Sequence, residues 1–175
     1  MSRTEAPEGF VPKTVSAPIA MKYVLYARKS NESEEQQVLS IDSQITDEPY
    51  LFGILTSRIH MVWLRAVGGK IKTDFRYSKE VVYNNFPFPK ISEELKKQID
   101  EHSYNIIDER EKHPEKTLAE LYDPEKMPLG LKRAHEFLDE VIDRIYQKKP
   151  FDSDEDRLAC LFKQYERMLE KETKK

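Results

Sequence analysis

The stretch PYLFGILTSRIHMVWLRAVGG, residues 49–69, constrains the fold of this chain more than any other segment. Phe52, Leu55, Ile59, Val62, Trp63 and Ala66 recur at three- and four-residue spacings and so share one helical face. The spacing predicts one helix from about Pro49 to Val67, stopped by Gly68-Gly69. The chain has 175 residues, 38% hydrophobic and 35% charged, so a core forms only if the apolar residues are unevenly placed. They are.

Four segments differ in character. Residues 1–20 carry three prolines and no periodicity, which reads as a disordered leader. In residues 21–48, Tyr23 to Tyr26 is apolar and β-prone, predicting a short strand with no obvious partner. A lone strand edge invites pairing with another chain, so self-association is an expectation there. Between Lys29 and Glu48 the charged residues are all acidic: Glu32, Glu34, Glu35, Asp42, Asp47 and Glu48. Residues 49–89 continue past Gly69 as KIKTDFRYSKEVVYNNFPFP, an irregular or β-like segment closed by prolines.

Residues 90–175 read as helices with 18 basic and 22 acidic side chains. Ser92 is a candidate cap for a helix bearing Leu95, Ile99 and Ile106. Thr117 to Glu120 has the capping-box pattern. Leu131, Ala134, Leu138, Val141, Ile142 and Ile145 form the next stripe. Ser153 and Asp156 open a last helix carrying Leu158, Leu161, Phe162, Tyr165 and Leu169. Short proline-bearing links favour antiparallel packing. The predicted class is mainly α: a helix, a basic irregular or β segment, and a three- to four-helix C-terminal bundle, after a short N-terminal strand.

Cys160 is the only cysteine, which excludes an intrachain disulfide and a cysteine-rich zinc site. No apolar run approaches the roughly 18–20 residues that span a bilayer, and no signal-peptide pattern opens the chain. A soluble cytoplasmic protein without membrane partners is expected.

The net charge of −3 hides a local reversal. Arg58, Arg65, Lys70, Lys72, Arg76 and Lys79 face a single acid, Asp74, over residues 58–79. With Tyr77, Ser78, Asn84 and Asn85 they supply cations, an aromatic and amides, the groups that contact phosphates and base edges. The expected DNA-contacting set is therefore Arg58, Arg65, Lys70, Lys72, Arg76, Tyr77, Lys79, Asn84 and Asn85. Trp63, Phe52 and Leu55 are expected in the core. His60 is expected to be packed rather than a metal ligand, because no second histidine or carboxylate stands at ligand spacing.

Two resemblances follow from these residues. Tyr26-Ala27-Arg28-Lys29-Ser30, then Ser40-Ile41 and Gln44, resembles the opening of serine site-specific recombinases over residues 21–44. The resemblance implies Ser30 as a nucleophile toward DNA and Arg28 as its phosphate contact. The family's later arginine-rich active-site segment and long dimerising helix have no counterpart here. Preorganising a nucleophile needs a packed surround, so Ser30 is read as a solvated serine.

The second is longer. Phe52-Gly53, His60-Met61, Trp63, Arg65-Ala66-Val67, Gly69-Lys70, Arg76-Tyr77-Ser78 and Tyr83-Asn84-Asn85-Phe86-Pro87-Phe88-Pro89 resemble the end of the target-recognition region of MmeI-like DNA adenine methyltransferases. TLAELYDPEKMPLGLKRAHEFLDEVIDRIY and FDSDEDRLACLFKQYERM resemble that family's C-terminal helices, so the likeness covers about 48–171. It implies a place in a restriction–modification system beside an S-adenosylmethionine-dependent domain. That cofactor's glycine loop and the Asn-Pro-Pro-Tyr motif for a flipped adenine are absent, since Asn84-Asn85-Phe86-Pro87 differs. No cofactor, metal or functioning catalytic residue is therefore expected in this chain. Three readings remain: a non-catalytic DNA-contacting and scaffold fragment, a serine recombinase fragment using Ser30, or a module docking on a methyltransferase subunit.

Overall fold

The computed structural model describes residues 25–27, 37–39, 48–71, 74–77 and 79–172. Strands β1 (Leu25–Ala27) and β2 (Gln37–Leu39) precede helices α1 (Pro49–Thr56) and α2 (Arg58–Val67). Strands β3 (Gly69–Ile71) and β4 (Asp74–Arg76) follow, then a π-helical turn at Lys79–Tyr83. Helices α3 (Glu93–Glu111), α4 (Leu118–Leu121), α5 (Leu129–Tyr146) and α6 (Asp154–Glu172) complete the chain. The class is mainly α, as the helical spacing predicts.

The expected single helix over residues 49–67 is two. Ser57 has extended backbone (φ −69°, ψ 156°) and its hydroxyl donates to the Ile54 carbonyl at 2.6 Å. Serine competes for helix carbonyls in this way and so ends α1. With its side chain committed backwards, Ser57 does not cap α2; the Arg58 N–H donates instead to Asp139 Oδ1 at 2.7 Å. A carboxylate from α5 thus caps α2 and meets the positive end of its dipole.

α1 is apolar on every side, and Tyr50 through Thr56 are all buried. A helix of that kind is stable only inside other elements. α1 lies against α3, α3 against α5, and α2 against α6. The approach of α1 to α3 is close at Gly53, where an added Cβ would fall 2.5 Å from Ser103 Oγ and 2.6 Å from Ile99 Cγ2.

Ser92 Oγ caps α3 by accepting from the Leu95 N–H at 3.3 Å. The capping box at Thr117 and Glu120 opens α4, and Ser153 Oγ accepts from the Asp156 N–H at the start of α6. Behind α4, the Tyr122 hydroxyl accepts from Arg110 Nε at 2.9 Å and Nη2 at 2.5 Å. Its own proton is then directed to His135 Nε2, 2.6 Å away. This buried trio ties α3 and α5 to the segment after α4.

The N-terminal strand has a partner, contrary to expectation: β1 pairs antiparallel with β2, Leu25 opposite Leu39 and Ala27 opposite Gln37. Val38-Leu39 supplies a β-prone pair between Glu35 and Asp42 of the acidic stretch, and it pairs with the edge within the chain. Residues 1–20, expected as a disordered leader, lie outside the described residues, as do Tyr23 and Val24.

We predict that Gly53→Ala lowers stability by about 1–3 kcal/mol, the usual result of overpacking a helix contact. Urea unfolding of the two proteins measures this.

Candidate nucleic-acid interface

α2 delivers its apolar face inward and its two arginines to one side. Trp63 is 1% exposed and donates from Nε1 to the Val82 carbonyl at 2.9 Å. Its ring centroid lies 5.6 Å from that of Phe162, 5.7 Å from Tyr165 and 6.2 Å from Phe86. Phe86 is fully buried and packs edge-on against His60 and Phe88. Tyr146 donates its hydroxyl to the Pro87 carbonyl at 3.2 Å. The Asn-Asn-Phe-Pro-Phe-Pro segment is therefore clamped between α2 and the end of α5. Trp63, Phe52 and Leu55 are core residues, as expected.

His60 is packed, as expected. It is 1% exposed, and burial pushes its pKa down to about 3, so the ring is neutral. His60 Nε2 lies 3.2 Å from the Tyr77 hydroxyl, while burial raises the Tyr77 pKa. Tyr77 follows β4 directly, so this contact ties the end of the β3–β4 hairpin to α2.

The nine expected DNA-contacting residues fall into three groups. Arg58 and Arg65 both reach Asp154 at the start of α6, Nε to Oδ1 at 2.7 Å and Nη1 to Oδ2 at 3.7 Å. The Arg58 bond to Asp154 raises its already high pKa further. Asp154 also accepts from Arg157 Nη1 at 3.3 Å, and Arg157 donates to Asp143 through Nε and Nη2, the latter at 2.6 Å. These two α2 arginines therefore belong to a charge cluster that joins α2, α5 and α6.

Tyr77 and Asn85 form the second group, Tyr77 with its hydroxyl contact to His60 and Asn85 with two structural bonds. Asn85 Nδ2 donates to the Glu80 and Val81 carbonyls at 2.9 and 3.0 Å and closes the π-helical turn. Asn84 beside it is half-buried.

The third group is set by the hairpin. β3 and β4 pair antiparallel with Gly69 opposite Arg76, Lys70 opposite Phe75 and Ile71 opposite Asp74. Lys70 and Arg76 thus sit on adjacent strands at neighbouring register positions, and Lys79 opens the turn that follows. Lys72 and Ser78 lie outside the described residues, and so do Ser30 and Arg28.

Among the described residues no group of three His, Cys, Asp or Glu is placed to hold a metal ion. No strand–glycine loop–helix unit occurs among them. No described helix is long and apolar enough to cross a membrane.

Residues 19–90 match the model of the MmeI target recognition domain, and residues 91–172 match that of the MmeI C-terminal domain. Residues 19–172 are MmeI-like. The MmeI-like chain is 51% identical over 124 residues to DNA methyltransferase A of Bacillus subtilis (strain 168), covering 71% of this chain and 14% of that protein. It also resembles the solved Type IIL restriction-modification enzyme MmeI in complex with DNA, with a TM-score of 0.70 and 32% identity. That likeness covers 84% of this chain and 21% of the enzyme, so the chain spans a small part of both relatives.

Two points follow for the MmeI-like architecture. The boundary after Lys90 does not divide the core, because α1 and α2 from the recognition match pack on α3, α5 and α6 from the C-terminal match. Residues 21–44, expected from sequence to be a recombinase-like opening, fall inside the stretch matched to the target recognition domain.

The buried neutral His60 has a pH signature. The unfolded chain takes up its proton near 6.5 and the folded chain only near 3, so this stability is present above 6.5 and lost on acidification. Between those values His60 contributes a loss of about 1.4 kcal/mol per pH unit. Denaturant titrations at pH 7 and 5, compared with those of His60→Gln, measure the difference.

Proposed function

We propose that this chain is a non-catalytic part of an MmeI-like restriction–modification methyltransferase that contacts duplex DNA through the β3–β4 hairpin. The observation that carries this is the sorting of the cations. Arg58 and Arg65 pair with Asp154 of a later helix, whereas Lys70 and Arg76 sit on the paired strands β3 and β4, with Lys72 between them in sequence and Lys79 just after Tyr77, whose hydroxyl meets His60. A basic segment anchored at its end to a packed helix suits phosphate contact, because cations from Lys and Arg position a protein on the nucleic-acid backbone. The match to a target recognition domain and the likeness to an enzyme solved in complex with DNA support the same ligand. Methyl transfer from S-adenosylmethionine would be supplied by a further domain, and this chain alone is predicted to transfer no labelled methyl group to DNA.

The recombinase reading through Ser30 and Arg28 and the subunit-docking reading predict different behaviour. A single mobility-shift experiment with labelled duplex, each sample also run on a denaturing gel, separates the three. DNA contact predicts reversible binding that weakens steeply with salt. Replacing Lys70, Lys72, Arg76 and Lys79 by Gln should flatten the log–log salt slope by about 3.6 if all four touch phosphates. A band that survives denaturation and disappears in Ser30→Ala would favour the recombinase. Absence of DNA binding with tight binding to a methyltransferase subunit would favour docking.

A further inference from the structure

The junction of α5 and α6 forms a cleft of about 530 Å³, far in sequence from the hairpin. Lys163 and Arg167 line it one helical turn apart on α6, both exposed, and neither has an ion-pair partner among the described residues. Like charges at that spacing repel unless an anion lies between them. Lys149 lines the same cleft, and its pairing with Asp152 at 3.6 Å is solvent-exposed, so it holds Lys149 weakly.

Asp156, the other acid in the cleft, lies in the first turn of α6, where the helix dipole offsets its charge. The lining thus carries three cations, Lys149, Lys163 and Arg167, against two carboxylates, within a helical region that is acidic overall. Gln164 stands between the two cations, and its amide donates only to Cys160 Sγ, at 3.7 Å. A thiol is a weak acceptor, so that amide is readily redirected to a stronger one.

We propose that this cleft takes a phosphodiester group of the nucleic-acid backbone, with Lys163 and Arg167 as charge partners and Gln164 as a neutral donor. The assignment rests on the DNA-contacting reading and adds a second contact within the C-terminal helices. A free phosphate ion offers the same charge chemistry without the strand, so the test has to separate the two.

Cys160 is the only cysteine of the chain and lines the cleft, which makes its alkylation by iodoacetamide a direct measure of occupancy. The full chain is treated with the reagent alone, with saturating duplex DNA, or with inorganic phosphate at the same phosphate concentration. Expected is a several-fold slowing by duplex only, lost in the Lys163→Gln/Arg167→Gln double variant. The same variant should flatten the salt slope of duplex binding by about 1.8. Duplex that binds without slowing alkylation overturns the cleft and leaves the hairpin reading standing. Equal slowing by inorganic phosphate overturns the nucleic-acid assignment in favour of a free phosphate. Slowing by duplex that persists when the hairpin cations are replaced, with no flattening of the slope in that variant, keeps the cleft and overturns the hairpin. Duplex that does not bind at all overturns both.

Discussion

The rest of the structure depends on where the first turn of α2 is held. Ser57 turns back to α1, so the N-terminus of α2 is left for carboxylates from later helices: Asp139 takes the Arg58 N–H and Asp154 takes the Arg58 guanidinium. Asp154 is held in turn by Arg157, which is paired with Asp143. Asp143 keeps a raised pKa because burial outweighs the guanidinium, a sign that its pairing is needed to carry its charge. Once that turn is held, the direction of α2 brings Trp63 to Phe162 and Tyr165, and it sets the point where the hairpin leaves at Gly69.

Much of this was legible in the sequence, for reasons that are local. The stripes on α3, α5 and α6 survive because a buried face imposes its period on the residue order, and Thr117 and Glu120 announce α4 within four residues. The break at Ser57 was hidden because the apolar spacing continues through it. Two short helices and one long one bury the same residues, and the hydroxyl bond to Ile54 and the distant Asp139 cap on the Arg58 N–H distinguish them. The β2 partner was missed because three residues are too few to show an alternation.

The candidate site was legible in composition but not in allocation. A run of six cations is visible at once, yet the ion-pair partner of Arg58 lies 96 residues away, and no local pattern points to it. Asn85 and Tyr77 present the same difficulty. An amide and a phenol suit a base edge and a structural bond equally well, and their partners here, Glu80, Val81 and His60, are visible only in three dimensions. The Lys163–Arg167 cleft leaves no mark in the residue order, because it is closed by the connection after Tyr146 folding against a helix whose average charge is acidic.

The architecture mounts a recognition segment on a helical body without a seam. The two matched regions meet at Lys90, but the Pro87 carbonyl is gripped by Tyr146 and Trp63 packs on α6, so recognition and C-terminal parts share one interior. The most direct test of that claim is urea unfolding followed by two signals on the same sample. Fluorescence of Trp63, the single tryptophan, reports on α2, and far-ultraviolet circular dichroism reports on all the helices. One shared interior predicts coincident transitions with a common midpoint. Loss of the Trp63 signal at lower urea than the helical signal would contradict it, because the recognition part would then unfold on its own.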